Sequence, residues 1–173
     1  HSFQRQGNDK DLKQLVADMA AGTINTLIVL DGNPAFDSAY SVSFTKALSK
    51  VKTKISCNLT LDETGALCDF VTPANHNLES WGDAQPKTDQ VYLLQPTIAP
   101  LFKGRQWEES LLIWAESPNL VTTSDQPYYD YVKAVWQRDF FARQSAFATF
   151  NSFWDNSLHD GLITLSAPSF SGV

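Results

Sequence analysis

Apolar residues recur along this chain at two spacings, one helical and one extended, and the switches between them mark its elements. Leu12, Leu15, Val16 and Met19 fall at i, i+3, i+4 and i+7, the stripe of a helix that Asn8 or Asp9 can cap and Gly22 ends. Ile24 opens a strand. Residues 27–30 form a continuous apolar run stopped by Asp31-Gly32-Asn33-Pro34, the profile of a central parallel strand buried on both faces. Helical spacing returns at Tyr40, Phe44, Ala47, Leu48 and Val51, and residues 54–61 read as a second strand, so the segment is one βαβ unit. A short helix over 62–67 and a third strand over 69–73 follow. The carboxyl ends of such strands open into the crevice where α/β sheets bind ligands, which puts any small-molecule site near Gly32, Asn33 and Pro34.

Beyond this point the pattern weakens and then changes character. Residues 74–88 read as irregular and polar, 91–94 as a brief strand, and 107–115 as a helix with Leu111, Leu112 and Trp114 on its apolar face. From Ser124 onward aromatic residues crowd in. Tyr128, Val132, Val135, Trp136 and Phe140 fit one helix started by Asp125 and Pro127, and Phe147, Phe150, Trp154 and Leu158 fit another. These stripes suit a core between two helices and the sheet; the competing reading is a docking face, since large aromatics also dominate interface cores. The expectation is an α/β fold, with a mainly parallel Rossmann-like sheet flanked by helices and an α-helical, aromatic-rich C-terminal tail. It divides into an α/β domain over 1–116 and a helical extension over 117–173 packed on it as one compact unit.

Composition narrows the function classes. The chain has 173 residues, a formal charge of −6 and a pI near 4.9, which argues against a nucleic-acid surface because phosphate neutralisation needs clustered Lys and Arg. No apolar run approaches the length that spans a bilayer, so direct membrane insertion is not expected, and the amino terminus lacks a basic-then-apolar signal. Cys57 and Cys68 are too far apart for a Cys-x-x-Cys pair and read as structural thiols. An iron–sulfur cluster cannot be ligated by this chain alone.

Catalytic candidates are few. The histidines are His1, His76 and His159, and no Gly-x-Ser-x-Gly elbow accompanies them, which argues against a hydrolase. Phosphate-loop motifs are absent after the first strand. Glu79 and Asp83 could pair as carboxylates, although in a loop such residues more often stabilise turns. Asn58-Leu59-Thr60 matches a glycosylation sequon, with its strand placement counting against use.

The order of motifs carries more information than any one of them. Leu27-Ile-Val-Leu-Asp-Gly-Asn-Pro-Ala35, a helix, Asn58-Leu-Thr-Leu-Asp-Glu-Thr64, Cys68-Asp-Phe-Val-Thr-Pro-Ala74 and Leu78-Glu-Ser-Trp-Gly82 together resemble the third, Rossmann-like domain of the molybdopterin oxidoreductases. His76-Asn-Leu-Glu-Ser-Trp-Gly-Asp83, Val91-Tyr-Leu-Leu-Gln-Pro-Thr-Ile-Ala-Pro-Leu-Phe102 and Ser110-Leu-Leu-Ile-Trp-Ala115 resemble more closely the fused iron–sulfur and molybdopterin-like subunit of bacterial alternative complex III, a quinol-oxidising respiratory complex.

The resemblance implies a fragment of a larger exported protein on the periplasmic side of an inner membrane. Its partners would be the ferredoxin-like iron–sulfur part of the parent chain and other respiratory subunits. In cofactor-binding relatives the Asn-Pro loop approaches the dinucleotide phosphates, and an aspartate after the second strand accepts hydrogen bonds from guanine. Here Asn58 stands at that aspartate's position, Asp62 replaces a threonine, and Gln85-Pro-Lys-Thr-Asp-Gln90 stands where Asn-Glu-Gly-Arg often follows. An acceptor-only carboxylate suits the paired N–H donors of guanine better than an amide does. The favoured expectation is therefore a scaffold and docking domain without its own cofactor, the clusters lying elsewhere on the parent. The alternative is a true molybdopterin guanine dinucleotide domain of an oxidoreductase, with Gly32, Asn33, Pro34, Asn58, Asp62, Glu63 and Thr64 at the nucleotide end. A third reading is an unrelated soluble binding domain.

Overall fold

A computed structural model describes residues 8–165; His1 lies outside them. The fold is mixed α/β. Contacts group residues 8–76 with 102–107 in one compact unit and 77–101 with 108–165 in another, a different grouping from an α/β part over 1–116 and a tail over 117–173.

In the first unit α1 (Asp9–Ala20) starts where the Asn8 side chain accepts from the Lys10 N–H at 3.0 Å. It stops in a Schellman turn: Gly22 takes φ +75°, its N–H reaches the Met19 carbonyl, and the Thr23 N–H reaches that of Asp18. β1 (Thr26–Leu30), α2 (Ser41–Leu48), β2 (Thr53–Cys57) and β3 (Phe70–Val71) follow, and the three strands pair in parallel in the order β1-β2-β3. Thus β2, not β1, is central, and only Val29 of β1 is buried. The apolar run of β1 reports a helix-covered face rather than a central place. Val16, Met19, Phe44, Ala47, Leu48 and Val51 form this unit's core, with α1 packed on α2. The turn expected as a helix over 62–67 is a 3-10 turn at Gly65–Leu67.

The second unit contains a sheet that the hydrophobic pattern does not announce. β4 (Gly82–Lys87), β5 (Gln90–Leu94) and β6 (Leu162–Thr164) form an antiparallel sheet in the order β4-β5-β6. Residues 74–88, expected to be irregular, thus supply a strand. Its Pro86 is tolerated because β4 is an edge strand and the ladder is irregular between Ala84 and Lys87. β6 ties the chain's later part to this hairpin, which explains why 77–101 groups with the aromatic region.

Strand alternation then builds the core. Val91 and Leu93 point inward with Ile163, while Tyr92 and Leu94 are exposed. Against them pack α4 (Pro127–Val135), the π-helical turn Trp136–Phe140 that continues it, and α5 (Phe150–Asp160). The aromatic stripes are core in this unit: Trp136, Phe153 and Trp154 are buried, and Trp136 meets the rings of Phe140 and Trp154 edge-on at 5.4 and 5.7 Å. By contrast α3 (Trp107–Trp114) buries Ser110 and leaves Trp114 exposed, the reverse of the expected apolar face.

The Trp136 indole N–H donates to the Asp83 carboxylate at 2.9 Å. Burial raises the Asp83 pKa above the ordinary aspartate value, outweighing the opposite effect of that hydrogen bond. The folded state therefore holds the proton more tightly than the unfolded chain. This carboxyl's contribution to stability is complete below its unfolded pKa and is lost as pH rises through the raised folded value. Asp83→Asn keeps a carbonyl acceptor for the indole and removes the buried charge, so in urea unfolding the stability of the variant relative to the parent chain should be higher at about pH 7 than at about pH 3. Trp136→Ala should cost about 3–5 kcal/mol in the same titration. An unchanged midpoint would return the aromatic stripe to the docking-face reading.

Candidate functional site

All seven residues expected at the nucleotide end come together at the carboxyl ends of β1 and β2. β1 ends at Leu30, and Asp31 after it takes φ +48°, a left-handed conformation that a short polar side chain tolerates. Gly32 does not take a positive φ, and a Cβ built on it would make only ordinary contacts, 3.7 Å from the Leu30 carbonyl oxygen. Its lack of a side chain is not a cradle held open for phosphate. Asn33 and Pro34 then start a tight turn, with the Phe36 and Asp37 N–H groups both donating to the Asn33 carbonyl at 2.9 Å.

Two linked clusters of hydrogen bonds join this loop to the segment after β2. In the first, the Asn58 Nδ2 donates to the Gly32 carbonyl at 2.7 Å and to the Asp62 carboxylate at 2.6 Å, while its Oδ1 accepts from the Gly32 N–H at 3.3 Å. The other Asp62 oxygen accepts from the Gly65 N–H at 2.7 Å and so starts the 3-10 turn. In the second, Asn33 Oδ1 accepts from both the Thr64 N–H (3.1 Å) and the Thr64 hydroxyl (2.7 Å), and Asn33 Nδ2 donates to Glu63 at 2.7 Å. The Thr64 hydroxyl oxygen in turn accepts from the Ala35 N–H at 3.0 Å. Asn58 is 5% exposed and Thr64 is wholly buried.

This arrangement does not fit a dinucleotide. The donors that Gly32, Ala35, Asn33 and Thr64 could offer to phosphate already point at protein acceptors. The acceptor that guanine would need at Asn58 is an amide facing Gly32, and the network's charged members, Asp62 and Glu63, are both acidic. The residues would have to release one another before they could bind a polyanion.

Sequence reasoning passed over Ser56, which is fully buried on β2 with its hydroxyl unpartnered, and Gly65, on which an added Cβ would stand 3.4 Å from that hydroxyl and 3.2 Å from Asp62 Oδ1. A polar residue between Ile55 and Cys57 is the signal that was there to read. The other candidates disperse. Glu79 accepts from the Leu101 N–H and Asp83 from Trp136, so they hold different segments. His76 and His159 are exposed, and His159 pairs with Asp160. Cys57 is buried and makes a 3.0 Å contact with the Thr72 hydroxyl; the Cys68 thiol donates to the Thr64 carbonyl, and burial pushes its pKa up, away from the reactive thiolate. Among the described residues no cluster of His, Cys, Asp and Glu could hold a metal ion, and no helix is long and apolar enough to cross a membrane.

Comparison with known structures adds the fold's kinship. This chain is similar in structure to acetylene hydratase from Pelobacter acetylenicus. The match has a TM-score of 0.67 at 15% sequence identity and covers 92% of this chain. The chain spans only 21% of that structure's length. At this identity the likeness speaks for fold alone, shared with one segment of that protein. No family model and no curated protein matches the sequence.

The network makes a sharp prediction about its own chemistry. Asn58→Asp removes both amide donors and sets a carboxylate against the Gly32 carbonyl and Asp62, at a cost on the order of 2–4 kcal/mol at neutral pH. Adding Asp62→Thr removes the facing carboxylate and supplies a hydroxyl that can donate to the new one, so the double variant should lose less than the sum of the two single variants in a double-mutant cycle measured by urea unfolding. Strict additivity would mean that the two positions do not act on each other.

Proposed function

We propose that this chain is a scaffold and docking domain, without a cofactor of its own, of a molybdopterin-oxidoreductase-like respiratory subunit. The observation that supports it is the network itself. Asn33, Asn58, Asp62, Glu63 and Thr64 satisfy one another, which stabilises the junction of β1 and β2 and leaves the crevice poorly suited to a polyanionic ligand. On this reading the residues of an ancestral nucleotide site have become structural, while electrons pass from quinol to acceptor through iron–sulfur clusters on a ferredoxin-like part of the parent. The motif order favours the molybdopterin-like subunit of alternative complex III on the periplasmic side of the membrane, with the other subunits of that complex as partners.

A competing reading, a functional molybdopterin guanine dinucleotide domain, is favoured by one observation: all seven candidate residues converge at the carboxyl ends of parallel strands, where such sites form. The two readings separate on the intact parent protein purified from its own host. Molybdenum, tungsten and oxidised pterin should be absent from an active, cluster-loaded preparation; near-stoichiometric metal and pterin would sink the scaffold reading. Asn33→Ala tests the structural role separately. Loss of the acceptor for the Thr64 N–H and hydroxyl should lower stability by about 1–3 kcal/mol, while electron transfer by the assembled complex stays unchanged.

A further inference from the structure

α1 and α2 leave a groove of about 480 Å³ between them on the surface of the first unit. Val16, Ala17 and Ala20 from α1 and Ala47 from α2 give it a mostly small, apolar floor, with Tyr40 and Ser43 also lining it on the α2 side. Its charged lining is Lys13 on one wall and, on the other, Lys46 of α2 and Lys50 in the turn that follows it, and no acidic side chain lines it. Among the described residues none of these three ammonium groups makes a hydrogen bond or an ion pair. In a chain of net charge −6 this is a locally reversed field over an apolar floor.

The composition of the groove says what would fill it. Small floor residues let another backbone approach closely, since the distance between packed helices is set by the side chains at their contact. Lysine stems extend the apolar walls while their heads stay in water, ready for carboxylates. A single anionic amphiphile brings its charge at one end, whereas these cations stand on both walls. The occupant therefore needs carboxylates along two edges with apolar side chains between them. We propose that this groove docks an acidic amphipathic helix of a partner protein, with its apolar i, i+4 residues on the alanine floor and its acidic edges against Lys13 and against Lys46 and Lys50. The inference stands whether or not the nucleotide crevice is used.

The test is a titration of the full 173-residue chain with a synthetic helical peptide carrying leucines at i, i+4 and i+7 flanked by glutamates, followed by amide chemical shifts at low and high salt. Shifts should centre on Lys13, Ala17, Ala20 and Lys46 and weaken steeply with salt. Lys13→Glu with Lys46→Glu should reduce affinity on the order of tenfold or more, and Ala17→Trp, at an exposed position, should block binding without lowering the thermal midpoint. A control peptide with lysines for glutamates should not bind. No shifts in the groove, equal binding of the control, tighter binding of phosphatidylglycerol vesicles or decanoate than of the peptide, or self-association of the chain through this face would each overturn the proposal.

Discussion

A buried amide has to be given partners, and the junction between β1 and the segment after β2 is built around that requirement. Asn58, almost without access to water, would leave two donors and an acceptor unpaired if it stood alone, at a cost of about 1–3 kcal/mol for each group. Gly32 answers it with both its N–H and its carbonyl, and Asp62 takes the remaining donor. Because the Gly32 backbone is held there, the chain leaves β1 in a fixed direction. Asn33 can then face Thr64, and the turn that leads to α2 can close. The strand register is thus locked at its carboxyl end by side chains, where the ladder itself has run out.

How far this was legible in the sequence depends on the kind of signal each residue carries. α1 and α2 could be read because their apolar residues keep a helical spacing and α1 ends in a glycine that only the left-handed region requires. The site residues could be located because a strand that ends in Gly-Asn-Pro has to turn there. Their mutual bonding could not, since Asn33 to Thr64 spans a sequence separation of 31 that only the fold closes. The second sheet was hidden for a different reason: β4 carries Gly82, Asp83, Gln85 and Pro86 with no alternation, and β6 has only three residues. Edge strands held mainly by a neighbour's ladder need little pattern of their own. The continuous apolar run of β1 misled in the opposite sense, because Leu27 to Leu30 looks central and stands beside β2 at the end of the described sheet.

In the second unit one polar contact sits inside an aromatic core. Rings at Trp136, Phe140, Phe153 and Trp154 supply apolar area and edge-to-face contacts, but an indole N–H buried among them needs an acceptor. Asp83 provides it from β4, so the least patterned strand in the chain is tied to the most strongly patterned helix. The raised pKa of Asp83 is the cost of burying its carboxyl there, which the indole bond offsets only in part. A neutral acceptor would hold the indole as well without a charge to bury.

The two departures from the molybdopterin-oxidoreductase pattern become intelligible when taken together. With a carboxylate at position 58 and a threonine at 62, the pair that the sequence resemblance implies for cofactor-binding relatives, a hydroxyl would donate to an acid. With Asn58 and Asp62 the same contact is made with its polarity reversed, the amide now donating to the carboxylate. Either change alone weakens the contact: two carboxylates repel, and an amide beside threonine makes a neutral pair without charge assistance. On the scaffold reading proposed above, this pair holds the corner without a nucleotide to complete it. The loop and its Asn-Pro turn each answer a demand of folding, since they end β1 and set Asn33 against Thr64 whether or not a ligand sits there.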